Sequence, residues 1–162
     1  MVTMAATVAF DLTTAIVAGV VAAMLLFVLK SSKLDVSVSG VDQNKAADKG
    51  VSGDHSKTRV MYLTGPLFFG TQDILTTKIG KLKGMTALVI SMRGVPNIDD
   101  SAINELDGIY RELEKKGISV VFCGVCPTVR GKMEQAGFIE KIGEESFYWD
   151  AVEALNAIGE AA

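Results

Sequence analysis

Cysteine, histidine and basic runs are scarce in this sequence, and each shortage removes a class of function. Two cysteines in 162 residues cannot build a disulfide framework, which fits a reducing compartment for the folded part. The single histidine, His55, stands in a Gly/Ser/Asp stretch and leaves no His-based zinc or catalytic set. No basic run interleaved with aromatics occurs, the net charge is −3 and the pI is near 5.2, so no nucleic-acid surface is expected. Gly40, Gly50 and Gly53, with Lys57, lack the GxxxxGK spacing of a phosphate loop.

What the chain has is apolar content, unevenly spread. Overall it is 49% hydrophobic, yet residues 12–29, LTTAIVAGVVAAMLLFVL, carry no charge, whereas residues 30–60 carry eleven titratable side chains including His55. Eighteen helical residues span about 27 Å, close to the hydrocarbon thickness of a bilayer. The sequence therefore predicts a leader over 1–10 and a transmembrane helix over 11–30. The alternative, a buried helix of a soluble protein, is disfavoured because eighteen such residues without a polar stripe are unusual outside lipid. A signal peptide fits poorly, because MVTMAATVAFD has no basic residue. Lys30 and Lys33 follow the run and only Asp11 precedes it, which places the C-terminal part in the cytosol. Ala15, Ala18, Gly19, Ala22 and Ala23 suit close helix packing and equally suit a lipid-facing surface.

Residues 31–58 read as a polar tether, with an alternating patch at Val36, Val38 and Val41 that suggests a brief extended element. Residues 59–160 read as one α/β domain. Val60, Tyr62 and Leu63 predict a strand, Gly65-Pro66 a turn, Leu67-Phe68-Phe69 a second short strand, and residues 71–80 a weak helix. TALVIS, residues 86–91, predicts a central strand. Ile103, Leu106, Ile109, Tyr110 and Leu113 recur at helical spacing after an Asp/Ser cap and end at Lys115-Lys116-Gly117. Ile118 to Phe122 is the next strand, and Cys126-Pro127 begins a helix running to Gly137. Phe147-Tyr148-Trp149 reads as an aromatic extended piece whose side chains serve as core or helix-packing residues in preference to a ligand platform, and Asp150 caps a last helix with Val152, Leu155 and Ile158 on its apolar face.

Cys123-Gly-Val-Cys126 has the spacing of a redox pair or half a zinc site. Cys123 falls at a strand end instead of a helix start, however, and no second pair exists, so neither role is expected and no metal or cofactor is implied. The adjacent carboxylates Asp99 and Asp100 point differently and have no nucleophile in view, so enzyme chemistry is not expected.

From Asp99-Asp100-Ser101-Ala102, through the amphipathic helix, GISVVFCGV, the Pro-started helix ending in AGF and the aromatic piece before the last helix, the sequence resembles a STAS domain. It resembles in particular the STAS domain at the cytosolic end of SulP-type anion transporters. TGPLFFGT (64–71) resembles their first turn, and DLTTAIVAGVVAAMLLFVLKSSK (11–33) their final membrane helix. The resemblance implies an α/β, STAS-like fold, a small mixed β-sheet with helices packed against it, preceded by one transmembrane helix. It also implies a multi-helix membrane core, missing from these residues, that moves anions such as sulfate or bicarbonate. The chain is then expected to be a regulatory tail, as a fragment or the product of a split gene, and not transport-competent alone. The implied partners are that core, a second copy through the transporter, the lipid bilayer, and a regulatory protein or nucleotide.

In the related anti-sigma-factor antagonists the loop reads Asp-Ser-Ser-Gly, and a partner kinase phosphorylates the second serine. Asp99, Asp100, Ser101 and Ala102 occupy those places, which makes Ser101, with Asp99 and Asp100, the candidate phosphorylation or switch site. Asp100 would repel the added charge and Ala102 departs from glycine, so the plainer reading is that Asp99 or Ser101 caps the helix. The preceding loop, Arg93, Gly94 and Asn97, is the candidate ligand-contact loop. The alternative function is a membrane-tethered or free-standing regulator that binds a switch kinase.

Overall fold

The computed structural model describes residues 12–31, 34–41, 50–51, 53–68, 72–82 and 84–161. The chain divides into two units, Met1–Lys33 and Leu34–Ala162. In the first, α1 runs Leu12–Ser31, 20 residues. Among its described side chains Ile16, Val17, Val20, Val21, Met24, Leu25, Leu26 and Phe27 are exposed. Among the described residues no helix is long and apolar enough to cross a membrane.

In the second unit the elements are β1 (Asp35–Gly40), β2 (Thr58–Thr64), α2 (Gln72–Gly80), β3 (Ala87–Gly94), α3 (Asp100–Lys115), β4 (Ser119–Cys123), α4 (Pro127–Gln135), α5 (Phe138–Ile142), β5 (Phe147–Tyr148) and α6 (Ala151–Ala161). They form a five-stranded sheet in the order β1-β2-β3-β4-β5. β1 runs antiparallel to β2, and the remaining pairs are parallel.

β3 explains the layering. Its run ALVISM is buried on both faces, as expected of a central parallel strand. Leu88, Ile90 and Met92 point to one face and join Ile103, Leu106 and Leu113 of α3 in the larger core. Val89 points to the opposite face, where Val60, Val121, Ala154 and Leu155 form a smaller core beneath α6. Each such aliphatic side chain contributes about 1.5–3 kcal/mol on burial, so the period-3.6 stripe of α3 is its main anchor.

Three features differ from the sequence reading. The Val36/Val38 patch is a full strand, β1, paired with β2 from Asp35↔Thr64 to Gly40↔Arg59, and the compact unit begins at Leu34. Leu67 makes only an isolated parallel bridge to Ile98, because its backbone turns to serve the loop before α3. The helix predicted from Cys126 to Gly137 stops at Gln135, since Gly137 adopts φ +70 and the chain restarts as α5.

The aromatic piece also divides. Phe147 stacks on Phe122 with centroids 5.3 Å apart, and the Arg130 guanidinium lies 5.9 Å from its ring centre. Trp149 is 79% exposed, which corrects its reading as a core residue. It follows β5 as the chain leaves the sheet, so no opposing strand covers its ring.

Candidate functional site

The loop between β3 and α3 is held by a short ladder of backbone bonds. Gly65 N–H donates to the Gly94 carbonyl at 2.9 Å, Leu67 N–H to the Asn97 carbonyl at 3.0 Å, and Asp99 N–H to the Leu67 carbonyl at 3.1 Å. Asp99 Oδ1 then accepts from the Ala102 N–H at 2.8 Å, which makes Asp99 the cap of α3. Asp100 and Ser101 are exposed in the first turn. The structure therefore gives the capping role to Asp99 and leaves the Ser101 hydroxyl on the surface.

Asn97 is committed elsewhere. Its Oδ1 accepts from Lys132 Nζ at 2.7 Å and from the Ile98 N–H at 3.0 Å, while Lys132 also donates to the Ile98 carbonyl at 2.9 Å. Arg93 and Gly94 lie elsewhere again. Strand alternation puts Arg93 on the Ser91 side of β3, facing a cleft of about 490 Å³ beside the start of α6. The three residues of the predicted contact loop are thus split: Arg93 and Gly94 line the cleft, and Asn97 braces α4.

A row of side chains crosses the sheet at this cleft. The strand register aligns Tyr62 with Ser91, Ser91 with Cys123, and Cys123 with Tyr148. The first three line the cleft together with Arg93, Gly94, Gly124 and Asp150. Asp150 is held by its own helix, its Oδ1 accepting from the Val152 and Glu153 N–H groups at 2.9 Å each. Among the described residues the Arg93 guanidinium makes no hydrogen bond or ion pair. Sequence reasoning placed Tyr62 and Ser91 on strands and Asp150 at a helix cap, but assigned none of them to a site. The strand alternation of Tyr62 and Ser91 aligns them only once the register is known, and Asp150 joins them through the position of its helix.

Burial pushes the Cys123 thiol above its ordinary range, although hydrogen bonding to Ser91 opposes this. Cys126 sits outside the cleft at the cap of α4, where its Sγ donates to the Val95 carbonyl at 3.5 Å. The two sulfurs occupy different environments, one beneath α6 and the other beside the larger core. Among the described residues no group of three His, Cys, Asp or Glu side chains is placed to hold a metal ion.

The family pattern described as STAS domain matches residues 50–154. Sulfate transporter 1.2 of Arabidopsis thaliana is 30% identical over 80 residues, covering 49% of this chain and 12% of the relative. The bicarbonate transporter BicA of Synechocystis is 26% identical over 158 residues, covering 93% of this chain and 28% of the relative. This chain therefore spans only a small part of these curated relatives. The solved SulP transporter STAS domain from Vibrio cholerae superposes with a TM-score of 0.58 at 26% identity, covering 72% of this chain and 91% of that one. The anti-sigma factor antagonist SpoIIAA shares the fold, with a TM-score of 0.53 at 21% identity over 63% of this chain and 88% of its own. The mixed sheet, its capped α3 and the match over 105 consecutive positions lead to one assignment: this chain belongs to the STAS domain family, with relatives among the SulP-type sulfate and bicarbonate transporters.

Proposed function

We propose that this chain is the cytosolic regulatory STAS module of a SulP-type inorganic anion transporter, carried on that transporter's final membrane helix. The observation that carries this reading is the BicA similarity, which extends over 93% of the chain and so takes in α1 as well as the domain. An uncharged run over residues 12–29, followed by Lys30 and Lys33, supports a span with the domain on the cytosolic side. A single helix encloses no pathway for a hydrated anion, so the chain alone does not transport. Its partners are the transporter's membrane core, the bilayer and, through the core, a second copy.

Within the module, the Arg93–Gly94 cleft is the regulatory ligand site, and the Asn97–Lys132 brace fixes the loop beside it. The coding sequence reading in frame into Met1 tests the assignment. Several further apolar spans of about 20 residues support it, and unrelated sequence there contradicts it.

The exposed position of Ser101 in the first turn of α3 favours a second reading, a regulator recognised by a switch kinase. Its discriminating result is phosphate on Ser101 after incubation with cell extract and ATP.

A further inference from the structure

We propose that the Arg93 cleft binds a monoanionic carboxylate carried on a flat apolar body. This rests on the reading of the cleft as the module's ligand site, and it adds the ligand class. The cleft lies at the carboxyl ends of β2, β3 and β4, where α/β sheets commonly bind ligands, and its volume of about 490 Å³ suits a small organic molecule.

Charge selects the head group. Arg93 supplies the cation, and among the described residues its guanidinium has no partner, so its planar fork is available to a carboxylate in bidentate geometry. Asp150 lines the same cleft and keeps a carboxylate there as the α6 cap. Arg93 and Asp150 together leave the cleft with no net positive charge, so one carboxylate can pair with the Arg93 fork, while each further negative charge of a di- or polyanion would face Asp150 without a countercharge. Inorganic dianions and polyphosphates are therefore poor ligands for this cleft.

The remaining walls select the body. Tyr62 is 43% exposed and lines the cleft from β2, which makes an aromatic ring available to a planar group. Ser91, only 8% exposed, places a hydroxyl on the floor beside Cys123. Gly124, at φ +67, has no side chain to fill the space beside Arg93: a Cβ there would lie 3.1 Å from Arg93 Cβ.

The test titrates the full chain in detergent micelles with benzoate, and separately with cyclohexanecarboxylate, phenyl phosphate, ATP and sulfate, following backbone amide shifts. The proposal expects saturable benzoate binding, with shifts centred on Arg93, Gly94 and Gly124. Cyclohexanecarboxylate should bind more weakly, and phenyl phosphate, ATP and sulfate weakest. Arg93→Gln should weaken benzoate about tenfold or more, and Tyr62→Ala severalfold, while Arg59→Gln leaves it unchanged. No saturable binding in the native chain, equal binding by Arg93→Gln, or tighter binding of phosphate, ATP or sulfate overturns the proposal. Because the native chain's amide shifts report the site directly, a variant that fails to fold does not remove the test. Failure here leaves the transporter-module reading standing, since that reading is decided by the upstream sequence and membrane topology.

Discussion

Lys132 Nζ lies 2.7 Å from Asn97 Oδ1, tying α4 to the loop that opens α3 across 35 positions of sequence. The same ammonium reaches the Ile98 carbonyl, so one side chain satisfies two acceptors of the loop, beside the Cys126 Sγ bond to the Val95 carbonyl. Replacing Lys132 with Met keeps much of the stem but removes both bonds. It is expected to cost about 1–2 kcal/mol, read as a lowered denaturation midpoint with faster hydrogen exchange at Ile98 and Asp99. Unchanged exchange at those amides would show that the loop does not depend on Lys132.

The Asp99 cap and the exposed Ser101 separate cleanly by mutation. Asp99→Ala removes the 2.8 Å bond to the Ala102 N–H and is expected to cost about 1 kcal/mol in chemical denaturation. Ser101→Ala should be nearly neutral. In cell extract with ATP, Ser101 should acquire no stoichiometric phosphate, because Asp100 beside it repels the added charge. A dominant Ser101 phosphopeptide in mass spectrometry would instead support the switch-kinase reading.

Two glycines give opposite expectations for the same substitution. A Cβ on Gly94 would stand 2.8 Å from the Leu63 carbonyl oxygen, in backbone that cannot move without disturbing β2. Gly94→Ala should therefore destabilise by about 1–3 kcal/mol. Gly108 lies inside α3 with open space around its Cβ position, so Gly108→Ala should stabilise by about 0.5–1 kcal/mol. Thermal melts of both variants check the pair, and a neutral Gly94→Ala would contradict the close approach of β2 and β3.

Cys123 gives a pH signature. Its folded pKa is raised, chiefly by burial, so the unfolded chain loses the thiol proton first as pH rises. The stabilisation is fully present below the unfolded value of about 8.5 and is lost as pH climbs from there through the raised folded value. Urea midpoints of the native chain and Cys123→Ala should therefore converge on the alkaline side. Tyr110 and Tyr148 are also raised, first by burial and then by nearby glutamates, and they push stability the same way at higher pH. A difference that widens with alkalinity would contradict the burial of Cys123.

Much of the domain was legible because its periodicities are strong. The stripe from Ile103 to Leu113 and the apolar runs of β3 and β4 each allow one comfortable burial. β1 was legible only as a brief extended element inside the tether, because DVSVSG supplies only Val36 and Val38 as apolar markers and its pairing with β2 is non-local. The break at Gly137 was hidden because a glycine can end one helix or begin another. The site was less legible for a geometric reason. Arg93, Gly94 and Asn97 are neighbours in sequence, yet strand alternation sends Arg93 beneath α6 while the loop turns Asn97 toward Lys132. The row from Tyr62 to Tyr148 exists only once four strands are in register.

Membrane integration and topology of the full chain test the central claim most directly. The account predicts that the protein stays with membranes through alkaline carbonate extraction, and that protease added outside spheroplasts leaves residues 59–160 intact until the membrane is permeabilised. Extraction into the carbonate supernatant, or digestion of the domain in sealed spheroplasts, would contradict a cytosolic STAS module held by a membrane helix.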